Sequence, residues 1–375
     1  MVALGLVVGV ARAHADTPAQ APQEFIEQAK QLLVVGACAD GTPAKVSQKI
    51  VTAHCKKVKA AQDEYKKSWI TVAREFFATA VPTDIPKTVV YPFAGGDLST
   101  ALTVFPDAEE ITTLSLEPAG DARAIDKLSE AQIKASLGTV ATELSSLYKA
   151  TFSRTMAMIG AMREGQLPTQ LIFSLSALWL HGYEPTSLRY FQLTDQGDIR
   201  YLTAADFDRI DQIKDTTKRN KELANVELKF RKKGATKEQT YRHIMANLDD
   251  AHLKKEPAAL RHIEKKGQVS AMTKAASFLL SFDDFQTMRK YLAEHVEWMV
   301  SDASGLAPKW GKPAGFQYET YGTFERSEMD AGAPISPSWV AEFKAQPKRP
   351  LKFRFGYPDV NFHHNLIIMR RSKKA

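Results

Sequence analysis

The chain has 375 residues, with 50 Lys and Arg against 43 Asp and Glu, a formal net charge of +7 and two cysteines. Its 44% apolar, 25% charged and 9% aromatic residues support a packed core and exclude wholesale disorder and fibrous repeats. No apolar run approaches the roughly 20 residues of a membrane-spanning helix, two cysteines exclude a disulfide-framework miniprotein or a four-cysteine zinc site, and so mild a positive balance gives no argument for nucleic acid.

Residues 1–15 read as a secretory signal peptide. Val2 to Ala11 is an apolar core and Ala13-His14-Ala15 a small-x-small cleavage pattern, although no Lys or Arg precedes the run. Cleavage there removes Arg12 and leaves a periplasmic or secreted protein without an anchor. In that compartment Cys38 and Cys55, 17 positions apart, are most simply one disulfide, contributing about 3 kcal/mol in the chain-entropy picture. His54 and Cys55 are adjacent and should diverge on a helix, which argues against a metal there.

Residues 16–85 are expected to form a helical region. After a proline-containing lead-in, Phe25, Ala29, Leu32 and Leu33 share one helix face, and Gly36 with residues 39–43 breaks it. A longer helix runs from about Ala44 to Phe77, with Val51, Val58, Tyr65 and Val72 at seven-residue spacing. Together these predict an antiparallel helical pair stapled near its turn. Lys56, Lys57, Lys59, Lys66 and Lys67 are interrupted by Asp63 and Glu64 and have no stacking platform, so they read as a solvated face.

A different pattern begins at Thr88. Thr88 to Phe93 is β-branched and aromatic, Ala94 to Asp97 a glycine turn, Leu98 to Phe105 a short helix and Ile111 to Leu116 a second strand. Helical insertions are expected at about 122–166, where Ala124 to Tyr148 and Thr151 to Arg163 are periodic, and at 237–294. Leu167 to Leu180 is apolar. Leu188 to Leu193 with Ile199 to Leu202 reads as a hairpin, and Val226 to Arg231 as a strand with one wet face. Val296 to Val300, Phe316 to Phe324, Leu351 to Phe355 and Asn365 to Met369 read as further strands. Residues 86–375 are thus predicted as an α/β domain: a Rossmann-like, mostly parallel sheet with helical insertions and terminal antiparallel strands.

The turn at 92–97 carries the most chemistry. A strand ending in glycines and opening a helix gathers backbone N–H groups, and Glu117 closes the next strand, where an acid can bind ribose hydroxyls. The Pro92-Phe93-Ala94-Gly95 turn resembles the first motif of class I S-adenosylmethionine-dependent methyltransferases, notably the base-modifying members. The resemblance implies cofactor contacts from Tyr91, Phe93, Gly95, Gly96, Asp97 and Glu117, with the glycines near the amino-acid portion and Glu117 at the ribose. It also implies a catalytic polar residue in Asp302, at the end of a later strand, and a closing antiparallel pair in the last two strands. Two departures stand out: Tyr91 replaces the usual acid inside the first strand, and no Asn/Asp-Pro-Pro-aromatic motif occurs. S-adenosylmethionine is also cytosolic, whereas the leader implies export. The chain further resembles bacterial secreted or envelope proteins sharing Tyr91 to Gly95, Leu116 to Pro118 and Tyr321-Gly322, a similarity that brings no activity with it.

Other candidates are weaker. Asp359, His363 and His364 cluster near the C-terminus, but the two histidines point apart if extended. His243, His252 and His262 read as solvated helix faces. Lys274 lies in a Ser/Lys-containing stretch whose order is wrong for a serine–lysine nucleophile, since residue 271 is Ala. No Gly-x-Ser-x-Gly, Gly-Lys-Ser/Thr or His-Glu-x-x-His motif occurs. Arg370, Arg371, Lys373 and Lys374 read as a solvated basic tail. The expected function is binding of an unidentified ligand or envelope partner on a degenerate methyltransferase-like domain. Two alternatives are an active S-adenosylmethionine-dependent methyltransferase and a structural envelope protein without a small-molecule site.

Overall fold

A computed structural model describes residues 21–150, 167–326 and 336–372. Ten strands form one sheet: β1 (Thr88–Pro92), β2 (Glu110–Ser115), β3 (Tyr183–Leu193), β4 (Ile199–Tyr201), β5 (Asn225–Lys232), β6 (Glu238–Met245), β7 (Val269–Thr273), β8 (Val296–Ser301), β9 (Phe316–Gly322) and β10 (Asn365–Arg371). Their order is β4-β3-β5-β6-β2-β1-β7-β8-β10-β9. The middle five, β6, β2, β1, β7 and β8, run parallel. An antiparallel wing of β3, β4 and β5 extends one side, and β10 lies antiparallel between β8 and β9 on the other. The α/β expectation holds, with a mixed sheet parallel in its middle.

Alternation along the strands builds two cores. Val89 and Tyr91 of β1, Ile111 of β2 and Leu366 and Ile368 of β10 point to one face. Val90, Leu114, Ile367 and Met369 point to the other, as a period of two requires. The first face is covered by α1 (Ile26–Val35), α2 (Gln48–Tyr65), α3 (Thr71–Ala80), α4 (Leu98–Val104), α5 (Ala124–Lys127), α6 (Glu130–Ala150) and α7 (Thr169–Leu180). The second is covered by helices between Asp250 and Ala345. A π-helical turn, Lys66–Ile70, joins α2 to α3 and stacks Tyr65 on Trp69 at 5.2 Å between centroids.

Several expectations need correction. The N-terminal helices do not form a pair of their own: α1 packs on β3 and α7, whereas α2 packs on α6. The disulfide does link them, with Cys38 and Cys55 bonded and their Cα atoms 5.4 Å apart. Residues 237–294 supply β6 and β7, two of the central parallel strands. Their patterns were concealed, in β6 by buried polar Gln239 and His243, in β7 by small residues and its brevity. Leu351 to Phe355 is irregular rather than a strand; Phe353 and Phe355 pack against the α3 aromatics Phe76 and Phe77. The expected signal peptide at 1–15 and the expected helix at 151–163 lie outside the described residues. Among the described residues no helix is long and apolar enough to cross a membrane.

Candidate functional site

The glycine turn forms where β1 ends. Phe93 and Gly95 both take positive φ, +60° and +54°, and the chain reverses into α4. Glycine adopts this conformation freely, while Phe93 is strained there by about 1 kcal/mol; its ring rests against Phe285 at 5.9 Å. Asp97 caps α4 by accepting from the Thr100 backbone N–H at 3.2 Å and its hydroxyl at 2.8 Å.

Asp97 is not open to a ligand. It is 2% exposed, pairs with the buried Lys274 ammonium and accepts from the Tyr91 hydroxyl at 3.2 Å. Lys274 also donates to the Thr100 hydroxyl at 2.8 Å, with the Phe355 and Trp69 rings 5.5 and 5.9 Å away. Burial, then the Asp97 charge, pushes the Tyr91 phenol well above its ordinary pKa, so it remains a neutral donor. Tyr91 therefore stands where the family resemblance leads one to look for an acid, and the carboxylate at this place comes from Asp97.

Glu117 lies just beyond β2, fully buried, and neither of its carboxylate oxygens has a hydrogen-bond partner among the described residues. Its backbone carbonyl accepts from His243 Nε2 at 2.7 Å. Nδ1 then accepts, with the Gln170 amide and the Thr113 hydroxyl each 3.3 Å away. Burial lowers the His243 pKa, which keeps the ring in this neutral form. Gln170, in the first turn of α7, also donates to the Gly95 carbonyl at 3.1 Å, and its own carbonyl oxygen is unpartnered. Gln170 thus bridges the glycine turn and His243.

Asp302 is 1% exposed and tied to backbone. It accepts from the amides of Ala275 at 3.1 Å, Tyr357 at 2.9 Å and Ser304 at 3.0 Å, and from the Ser304 hydroxyl. Burial raises its pKa while these hydrogen bonds oppose the rise. Gly356 packs so closely that a Cβ there would overlap the Asp302 carboxylate. This is a knot joining three loops, and its oxygens are committed to it.

Near α4 the Ser99 hydroxyl lies 3.0 Å from His181 Nε2, a spacing seen in nucleophile–base pairs. Here the direction is reversed. Arg74 donates to His181 Nδ1 at 2.5 Å, and a guanidinium cannot accept. Nε2 therefore carries the hydrogen and donates to Ser99, which leaves no base for that hydroxyl.

The remaining candidates resolve as structure. The Asp359 carboxylate accepts from the amides of Glu325, Asn361 and His363, and the His363 ring lies 3.3 Å from it. His243 and His262 are buried rather than solvated, and His252 is exposed. Glu227, expected on a wet strand face, is 1% exposed and pairs with Arg242. Arg371 is no free tail: it donates to the carbonyls of Ala293, Val296 and Ala314. His54 does not diverge from the sulfurs; one ring nitrogen lies within 4.8 Å of both, but the disulfide occupies them.

A cavity of about 510 Å³ opens past the carboxyl end of β2, bounded by Pro118 to Asp121, by Thr169 at the start of α7 and by Thr216, Arg219 and Asn220; the buried Glu117 side chain does not line it. Sequence reading set Lys274 aside, took His243 for a solvated helix face and passed over Gln170. Lys274 stood out in the sequence only for its Ser/Lys-containing stretch, and the one signal for Gln170 is a polar residue inside the apolar run 167–180. Comparison with protein-family models, curated proteins and solved structures yields no match to this chain.

Proposed function

We propose that this is an exported binding protein built on a methyltransferase-like domain that no longer transfers methyl groups. The observation that carries this reading is that groups the resemblance offers to a cofactor are taken up within the protein: Gln170 bridges Gly95 and His243, and Asp97 is consumed by Lys274 and Tyr91. Asp302, the candidate catalytic acid, is held in its loop knot. The methyltransferase-like reading itself draws support from β10 lying antiparallel between β8 and β9 at the end of a parallel run. Ligands of open α/β sheets bind outside the carboxyl ends of the strands, and the cavity past the end of β2, with Asp121, Lys127, Asp211 and Arg219 on its walls, is an open space there that offers charged partners to a ligand. The disulfide is at home in an oxidising compartment and supports export.

Calorimetric titration with S-adenosylmethionine tests the loss of cofactor binding. The expected result is no heat from the wild type. Heat that disappears in Glu117→Ala would replace this proposal with the enzyme reading, which the unpartnered Glu117 carboxylate favours. Export is tested by the mass of the protein recovered from cell fractions. It should begin at Asp16 and leave the cytosol; a cytosolic protein with reduced Cys38 and Cys55 would sink that half of the proposal.

A further inference from the structure

A second cavity, of about 500 Å³, lies at the amino edge of the sheet, the end opposite the glycine turn. The start of β1, the segment leading into β2, the end of β5 and the start of β3 meet there, closed over by the last turns of α3 and α4. Its volume falls in the range of small-molecule sites. The walls are apolar: Phe77, Val81, Ile85, Val104, Phe105 and the Tyr183 ring surround the space.

The charges around this apolar space do not balance. Arg74, Lys87 and Lys232 line it against a single acid, Asp107. Arg74 makes one hydrogen bond among the described residues, to His181 Nδ1. That imidazole is neutral, because burial and then the Arg74 charge push its pKa well down. Among the described residues no carboxylate lies within ion-pair distance of Arg74, Lys87 or Lys232. A guanidinium has five donors in a planar fork that matches a carboxylate, and here one is committed. A half-buried cation beside an apolar cavity, with no counter-charge of its own, is the arrangement that a ligand with an anionic head and an apolar tail would complete.

We propose that this amino-edge cavity binds a single-chain carboxylate, its head on the Arg74 guanidinium and its hydrocarbon chain along Phe77, Val104 and Phe105. The cavity shares no lining residue with the one past the end of β2, so the proposal stands whether or not that site takes a ligand.

Decanoate is the probe, with decanol as its uncharged counterpart. Calorimetry and thermal melts of the full chain at pH 7 should show decanoate binding and a raised melting temperature, with decanol weaker. Arg74→Met keeps an apolar stem without the charge; it should weaken decanoate about tenfold or more and leave decanol unchanged. Because Arg74 also supports His181, Ala78→Trp provides a second variant. Ala78 is exposed at the cavity wall, so the indole should block the space and abolish binding of both probes while the circular dichroism stays native. Absence of heat and of any melting shift with decanoate in the wild type would overturn the proposal. So would decanoate binding that survives both substitutions.

Discussion

Lys274 shows how much a single buried charge constrains this protein. Its side chain is 1% exposed and its ion-pair partner Asp97 3%, so each is a desolvated ion balanced by the other. Removing one member of such a pair leaves an uncompensated charge and costs about 3–5 kcal/mol, whereas replacing both is far milder. Lys274→Met and Asp97→Asn should each lower the denaturant midpoint strongly, and the double variant should lose less than the sum. Additive losses in urea unfolding would show that the two side chains act independently. Sequence reading singled out Asp97 as a ligand contact and set Lys274 aside because it fitted no motif. Their pairing joins residues 177 positions apart and has no local signature.

Among the elements, the N-terminal helices depend on the rest of the fold. The Cys38–Cys55 bond holds α2 to the end of α1, but the apolar faces of these helices are buried by β3, α6 and α7. Replacing both cysteines by serine should therefore leave the fold intact and lower its stability by about 3 kcal/mol, the value expected for a loop of this length. Urea melts of this variant against the oxidised protein, and of the wild type with and without reductant, measure that. Equal midpoints in all cases would mean that tertiary packing alone fixes the helices. The strands β1, β2, β8 and β10 were legible because each is a short β-branched or apolar run, as a strand buried on both faces requires. β6 was not, because its inward positions include Gln239 and His243, whose partners come from β2, α7 and the segments on either side of β2.

The whole molecule should be acid-labile well above the ordinary carboxylate range. His54, His181, His243, His262 and His364 all have pKa values pushed down, in each case mainly by burial, and for His262 the value falls to about 4. Between that value and about 6.5, the unfolded chain binds a proton that the folded chain refuses, so stability rises with pH across this window and is lost as pH falls through it. Burial also pushes Glu110 upward, but Lys266 and Arg242 outweigh it and hold its pKa at about 2. Its contribution is present above the unfolded value of about 4.3 and disappears below it. The melting temperature should therefore fall steadily from pH 7 to pH 4. His262→Gln should reduce that fall by an amount equivalent to at most about 3 kcal/mol. Parallel curves for variant and wild type would remove His262 from the account.

Composition and local pattern were enough to determine an α/β chain, the strand–glycine turn–helix unit at 88–105 and the cysteine pair, because each depends on neighbouring residues or on spacing along one element. The fate of the candidate site was decided elsewhere. Gln170, His243, Lys274 and Gly356 come from four distant segments, and they occupy the groups that a motif alone offers to a ligand. The unbalanced cations at the amino edge belong to the same class. A cation's partners are whatever the fold brings within a few ångströms, and only the packed sheet reveals that Arg74 meets an apolar cavity and a neutral imidazole instead of a carboxylate.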